Sequence, residues 1–132
     1  MKVDLFIMFL LVIVLSQDCQ SQVLDFDLYD LGFSEKIDDI LKQNNLKLSD
    51  GKSDAITLFR YDRFETTDNN LLQFNKNSLV GNSNGQSNNL ILHYSIDDYK
   101  IAMYEVNLYT DNEVGIISKT LEEKIGTPSI LL

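Results

Sequence analysis

His93, Ser95 and Asp97 fall within one short stretch and carry the residue types of a base, a nucleophile and an orienting acid. Acyl-transfer chemistry with such a set needs the imidazole within hydrogen-bond reach of both partners. At positions i, i+2 and i+4 of a strand the three side chains share one face but stand about 7 Å apart. They cannot touch. A solvent-facing strand, with Leu92, Tyr94 and Ile96 on the opposite core face, accounts for the spacing without catalysis.

Asp25 and Asp27, followed by Asp30, set carboxylates on the solvent side of an expected first strand. Paired carboxylates suit a hard cation or an acid–base couple. No further oxygen ligands follow at defined spacing, so alternation alone explains them. Gly51-Lys52-Ser53 matches the tail of a phosphate-cradling loop, but the glycine that must precede it falls on Leu46 and no strand-to-helix context follows. One histidine and one cysteine are too few for a nitrogen and sulfur zinc site. Neither a catalytic residue, a metal site nor a cofactor is expected.

"FRYDRF", residues 59–64, is the segment most suited to contact a partner. Arg60, Asp62 and Phe64 alternate with Phe59, Tyr61 and Arg63, and Arg with Tyr is favoured at protein interfaces. An edge strand whose charges discourage aggregation has the same composition. The candidate interaction surface therefore comprises Arg60, Tyr61 and Arg63, together with Asp25 and Asp27.

Compartment is written at the amino terminus. Leu5 to Leu15 is an unbroken apolar run of eleven residues. Crossing the hydrocarbon core as a helix takes roughly 20 residues, whereas a signal-peptide core takes about 7–15. Lys2 precedes the run, partly offset by Asp4, and no basic stop-transfer cluster follows. Residues 1–21 are expected to be a signal peptide cleaved after Ser16 or Ser21, with residues 22–132 forming a single domain that is exported to a periplasm or the extracellular space. Lipid attachment at Cys19 is disfavoured, because the peptidase pocket wants a small residue where Asp18 stands. The absence of an Asn-x-Ser/Thr sequon favours a bacterial envelope over a eukaryotic secretory route.

Composition bounds the rest. The chain has 132 residues, 44% of them apolar, enough for one core without disulfide or metal staples. Its net charge is −9. Such a balance disfavours binding to nucleic acid or anionic membrane and favours a basic protein partner.

The elements follow from periodicity. Leu24, Phe26 and Leu28 alternate as a first strand. Ser34 stands at an N-cap position before Ile37, Ile40, Leu41 and Leu46 at helical spacing, and Asn44-Asn45 supplies a stop. Residues 55–64 have strand character, residues 71–80 form one strand with an irregular end, and residues 81–89 form a mobile polar loop around Asn84-Gly85. "LILHYSI" and "YKIAMYEVNLY" pair as a hairpin, with Ala102, Tyr104, Val106 and Leu108 on one face. Thr110 to Glu113 is a capping box opening a helix whose apolar stripe is Val114, Ile117, Leu121 and Ile125. The order predicts an α+β fold, an antiparallel sheet of four to five strands with two helices packed on one face.

The function expected on these grounds is that of a small exported binding protein without catalysis, inhibitor-like or immunity-like toward a basic partner. The alternative is a periplasmic or secreted carrier of a small apolar ligand, which would line its cavity with aromatics such as Phe26, Phe59 and Tyr104.

Overall fold

The computed structural model describes residues 25–53 and 60–127. The signal segment, Cys19, Leu24 and Phe59 lie outside them. The architecture is α+β, two helices with antiparallel sheets.

A three-stranded sheet is the frame. β1 (Tyr61–Thr66) and β7 (Ile101–Asn107) flank β6 (Asn89–Ser95). Both pairings are antiparallel, with Phe64 opposite Leu92 in one and Leu92 opposite Tyr104 in the other. Single bridges extend the frame at each side, Lys52 against Glu65 and Lys36 against Lys100. Among the described residues, instead of four to five strands in one sheet there are three, accompanied by hairpins of two residues per strand. β2 (Gln73–Phe74) turns into β3 (Asn77–Ser78), and β4 (Asn82–Ser83) into β5 (Gln86–Ser87).

These hairpins replace the single strand expected over 71–80 and the mobile loop expected over 81–89. Both close on two residues of positive φ, Asn75 and Lys76 at 48° and 62°, Asn84 and Gly85 at 53° and 80°. That is the backbone of a type I′ turn, which matches the twist of its flanking strands and suits Asn and Gly. The nine polar residues of 81–89 are therefore a short hairpin with a short approach to β6.

The first strand is also absent among the described residues, which begin at Asp25. Leu28–Asp30 is a 3-10 turn whose N-cap, Asp27, accepts the Tyr29 N–H at 2.9 Å. Leu28 is buried by this turn at 1% exposure. Helix α1 (Ile37–Gln43) buries Ile37, Ile40 and Leu41, in the phase expected. Ser34 does not cap it. The N-cap is Lys36, and the Glu35 carboxylate instead takes the backbone N–H groups of Gly32 and Ser34 at 3.2 and 2.9 Å. Its own backbone N–H first, then those of Gly32, Ser34 and Phe33, hold the Glu35 carboxyl below the usual range.

Helix α2 (Asp111–Ile125) starts where the Thr110 signal places it, but its phase differs from the expected stripe. Thr120 is buried, with part-buried Ile116 and Ile117 packing on the core, while Val114, Leu121 and Ile125 are exposed at 46%, 39% and 75%. Thr120 can be buried because its hydroxyl donates to the Ile116 carbonyl at 2.9 Å. The helix is oriented from its start. The buried side chain of Asn88 donates to the Leu79 carbonyl and to Thr110 Oγ1, and accepts the Tyr109 N–H.

The core joins Ile37, Ile40 and Leu41 of α1 to Phe64, Leu90, Leu92 and Tyr94 of the sheet, and to Leu71, Leu72, Phe74 and Leu79. A register shift between His93 and Tyr94 gives β7 an extra residue. Ile101 is consequently opposite Tyr94 and buried, whereas Ala102 is exposed. Ile96, expected on the core face, is half exposed in the turn that follows β6.

Candidate functional site

A cleft of about 620 Å³ opens where the amino-terminal segment, the end of α1 and the β2–β3 hairpin meet. That volume lies within the range of small-ligand clefts, about 300–1,000 Å³. Most of the residues that line it carry polar groups. Carboxylates come from Asp25, Asp27 and Asp30, and amides from Gln43, Asn44, Asn45, Asn70 and Gln73. Phe26 contributes an aromatic surface, and Lys76 a cation.

The carboxylates differ in their availability. Asp27 Oδ1 accepts the N–H groups of Tyr29 and Asn75 at 2.9 and 2.8 Å, and Oδ2 accepts that of Lys76 at 2.7 Å. Asp27 thus builds the cleft by tying its amino-terminal wall to the β2–β3 turn. Asp25 and Asp30 are exposed and make no such bonds within the described residues. Two of the amides are oriented as well. Asn44 donates its Nδ2 to the Ile40 carbonyl at 2.9 Å, and Gln73 its Nε2 to the Asn69 carbonyl at 3.0 Å. Each amide nitrogen gives one of its two N–H groups to a backbone acceptor, which orients the side chain and leaves the carbonyl oxygens of Asn44 and Gln73 without a partner among the described residues.

Aromatic contacts involve neighbours of the lining residues in the 25–30 segment and in β2. Tyr29 meets Phe74 edge-on at 5.6 Å between centroids, and the Lys124 ammonium of α2 sits 4.1 Å from the Tyr29 ring centre. Tyr104, stacked on Phe33 at 6.0 Å, has its hydroxyl pKa raised, chiefly by burial and further by the Asp27 charge.

Of the residues singled out from sequence, Asp25 and Asp27 line this cleft; Arg60, Tyr61 and Arg63 do not. Arg60 donates from Nε and Nη2 to Asp97 at 3.0 and 2.6 Å, and Arg63 pairs with Glu65 at 3.3 Å. Tyr61 is exposed at 41% at the start of β1. The FRYDRF positions that are described therefore present neutralised pairs, not a bare cationic patch. The side chains of His93, Ser95 and Asp97 do not bond to one another. His93 Nε2 lies 2.6 Å from Glu105, Ser95 Oγ accepts the Asp97 N–H at 3.2 Å, and the Asp97 carboxylate faces Arg60. Gly51 and Lys52 serve the fold, Gly51 against the Phe64 ring and Lys52 in the bridge to Glu65.

No group of three or more His, Cys, Asp or Glu placed to hold a metal ion occurs among the described residues. Among them, too, no helix is long and apolar enough to cross a membrane. Sequence reasoning missed the amide half of the cleft. Asn44-Asn45 and Asn69-Asn70 carried turn signals only, and nothing in their spacing announces that α1 and β2 converge on Asp27. The chain matches no protein family model, no curated protein and no solved structure.

Proposed function

We propose that this chain is a small exported binding protein that receives cationic, donor-rich side chains of a basic protein partner in the cleft beside Asp27. The observation that carries the reading is the acceptor character of the lining. Asp25 and Asp30 offer carboxylates without partners among the described residues, and Asn44 and Gln73 each have one amide N–H bonded to backbone. Guanidinium and ammonium groups bring several donors and no acceptor, the complement of such a surface. The net charge of −9 adds a long-range attraction. Arg60 and Arg63 are each paired with a carboxylate, and Lys76 is the cation on the cleft wall, set against the carboxylates of Asp25, Asp27 and Asp30.

The carrier alternative requires an apolar cavity. Phe26 is the one aromatic on the cleft wall and Tyr104 packs against the core, so the aromatics that such a carrier would gather do not line one cavity among the described residues.

Calorimetric titration of the exported domain with a short arginine-containing peptide tests the reading. Binding is expected to weaken with salt, because the Debye length is only about 8 Å at physiological ionic strength. The double variant Asp25→Asn, Asp30→Asn is expected to lose it while keeping the fold. Equal affinity for a neutral peptide of the same length would overturn the proposal.

A further inference from the structure

Two hairpins in this chain close on turns of the same backbone class, and they treat their asparagines differently. We infer that Asn84, at the tip of β4–β5, is a self-modification site that deamidates through its own backbone, whereas Asn75 in the matching turn is protected. The chemistry is intramolecular. The Gly85 backbone nitrogen, once its proton passes to a base in solvent, attacks Asn84 Cγ. A nitrogen–carbon bond forms, the Cγ–Nδ2 bond breaks, and Nδ2 leaves as ammonia. Water then opens the resulting five-membered imide at either carbonyl, giving aspartate or isoaspartate at position 84. No electrons are transferred, and water is the co-reactant.

Three observations place the reaction here. Asn84 and Gly85 are both exposed, and the space around the Gly85 Cα is open, with no heavy atom within 4 Å of where a Cβ would stand. Among the described residues, neither has a hydrogen bond that would hold the attacking nitrogen or the side-chain amide. The hairpin itself has two residues per strand, so it opens locally at low cost. At its base, in contrast, the Asn88 N–H is bonded to the Gly81 carbonyl at 2.9 Å, and the buried Asn88 amide anchors it.

The other asparagines lack this combination. The nucleophile for Asn75 would be the Lys76 nitrogen, whose N–H is bonded to Asp27 Oδ2 at 2.7 Å. That for Asn69 is the Asn70 nitrogen, bonded to Asp68 at 2.8 Å, and that for Asn45 is the Leu46 nitrogen, bonded to the Leu41 carbonyl at 2.8 Å. Asn82 has its side-chain amide donated to Ser87 Oγ. At Asn84 alone among these are nucleophile and amide both unheld. Each conversion replaces a neutral amide by a carboxylate, and the isoaspartate form adds a methylene to the backbone at a turn that depends on positive φ.

Peptide mapping by mass spectrometry on the intact folded chain, aged in mildly alkaline buffer, decides this. Asn84 is expected to acquire the mass of NH₂ replaced by OH several-fold sooner than Asn75, Asn69 or Asn45, and faster as pH rises, since the nucleophile is the deprotonated amide. A mixture of aspartate and isoaspartate at position 84, resolved by isoaspartate-specific methylation, is expected to identify the imide route. Asn75 reacting as fast as Asn84, or Asn84 remaining intact while a free peptide of residues 81–89 converts, would overturn the assignment.

Discussion

Asp27 and Lys76 stand 49 positions apart, yet the carboxylate Oδ2 of the first accepts the backbone N–H of the second at 2.7 Å. Oδ1 of the same group takes the Asn75 N–H, so one side chain binds both residues of a turn whose positive φ values leave their N–H groups pointing outward together. The acidic residue that sequence marks as a surface charge is a structural clamp. Removing it leaves backbone donors without their partner, at a cost of about 1–3 kcal/mol. Asp27→Ala should therefore lower the urea midpoint clearly, and Asp25→Ala should leave it within about 0.5 kcal/mol. Equal effects of the two substitutions would contradict the clamp.

Two glycines should respond to alanine with opposite signs. A Cβ on Gly51 would lie 2.3 Å from a Phe64 ring carbon, and Phe64 is buried at 1% exposure in the core. Overpacking of this kind costs about 1–3 kcal/mol. Gly115 lies inside α2 with open space around it, where glycine is about 0.5–1 kcal/mol worse than alanine. Thermal melts of Gly51→Ala and Gly115→Ala should shift down and up respectively.

The phase of α2 predicts a contrast between two apolar truncations. Ile40 is 4% exposed and should cost about 2–5 kcal/mol on replacement by alanine. Leu121, 39% exposed, should cost only about 0.5 kcal/mol, the scale of surface changes. Chemical denaturation measures both. A Leu121→Ala loss as large as that of Ile40→Ala would place the helix in the other phase.

Alkaline stability should depend on Tyr94. Burial first, and then the Asp62 carboxylate that accepts from its hydroxyl at 3.3 Å, push its pKa from 10.0 up to about 12. Between those values the folded chain keeps a proton that the unfolded chain has released. Unfolding then sheds protons, so stability falls as pH rises through this interval. Tyr94→Phe should flatten that limb of the pH profile.

Acid should act on the approach to α1. The Glu35 carboxyl, held below its ordinary range by backbone N–H groups, stabilises the folded chain above its unfolded pKa and loses that contribution as pH falls through the folded value. The bonds to Gly32 and Ser34 are then lost. Hydrogen exchange at those two amides should accelerate on acidification relative to the base-catalysed trend, and Glu35→Gln should remove the transition.

Local physics was legible in the residues. The period of Ile37, Ile40 and Leu41 marks a buried helix face, Thr110 and Gly126 bound the second helix, and the alternation of Leu90, Leu92 and Tyr94 marks the central strand. Each depends on neighbours within one element, so the sequence by itself determined those elements and the α+β class. What a face meets depends on distant chain, and only the tertiary structure decided that. Thr120 rather than Leu121 is buried because the Asn88–Thr110 contact orients α2, and Asp27 is drawn onto the β2–β3 turn because that turn presents two N–H groups to it. The acceptor-lined cleft exists for the same reason. Residues 25–30, 43–45 and 70–76 share no period and converge only when the core between them closes.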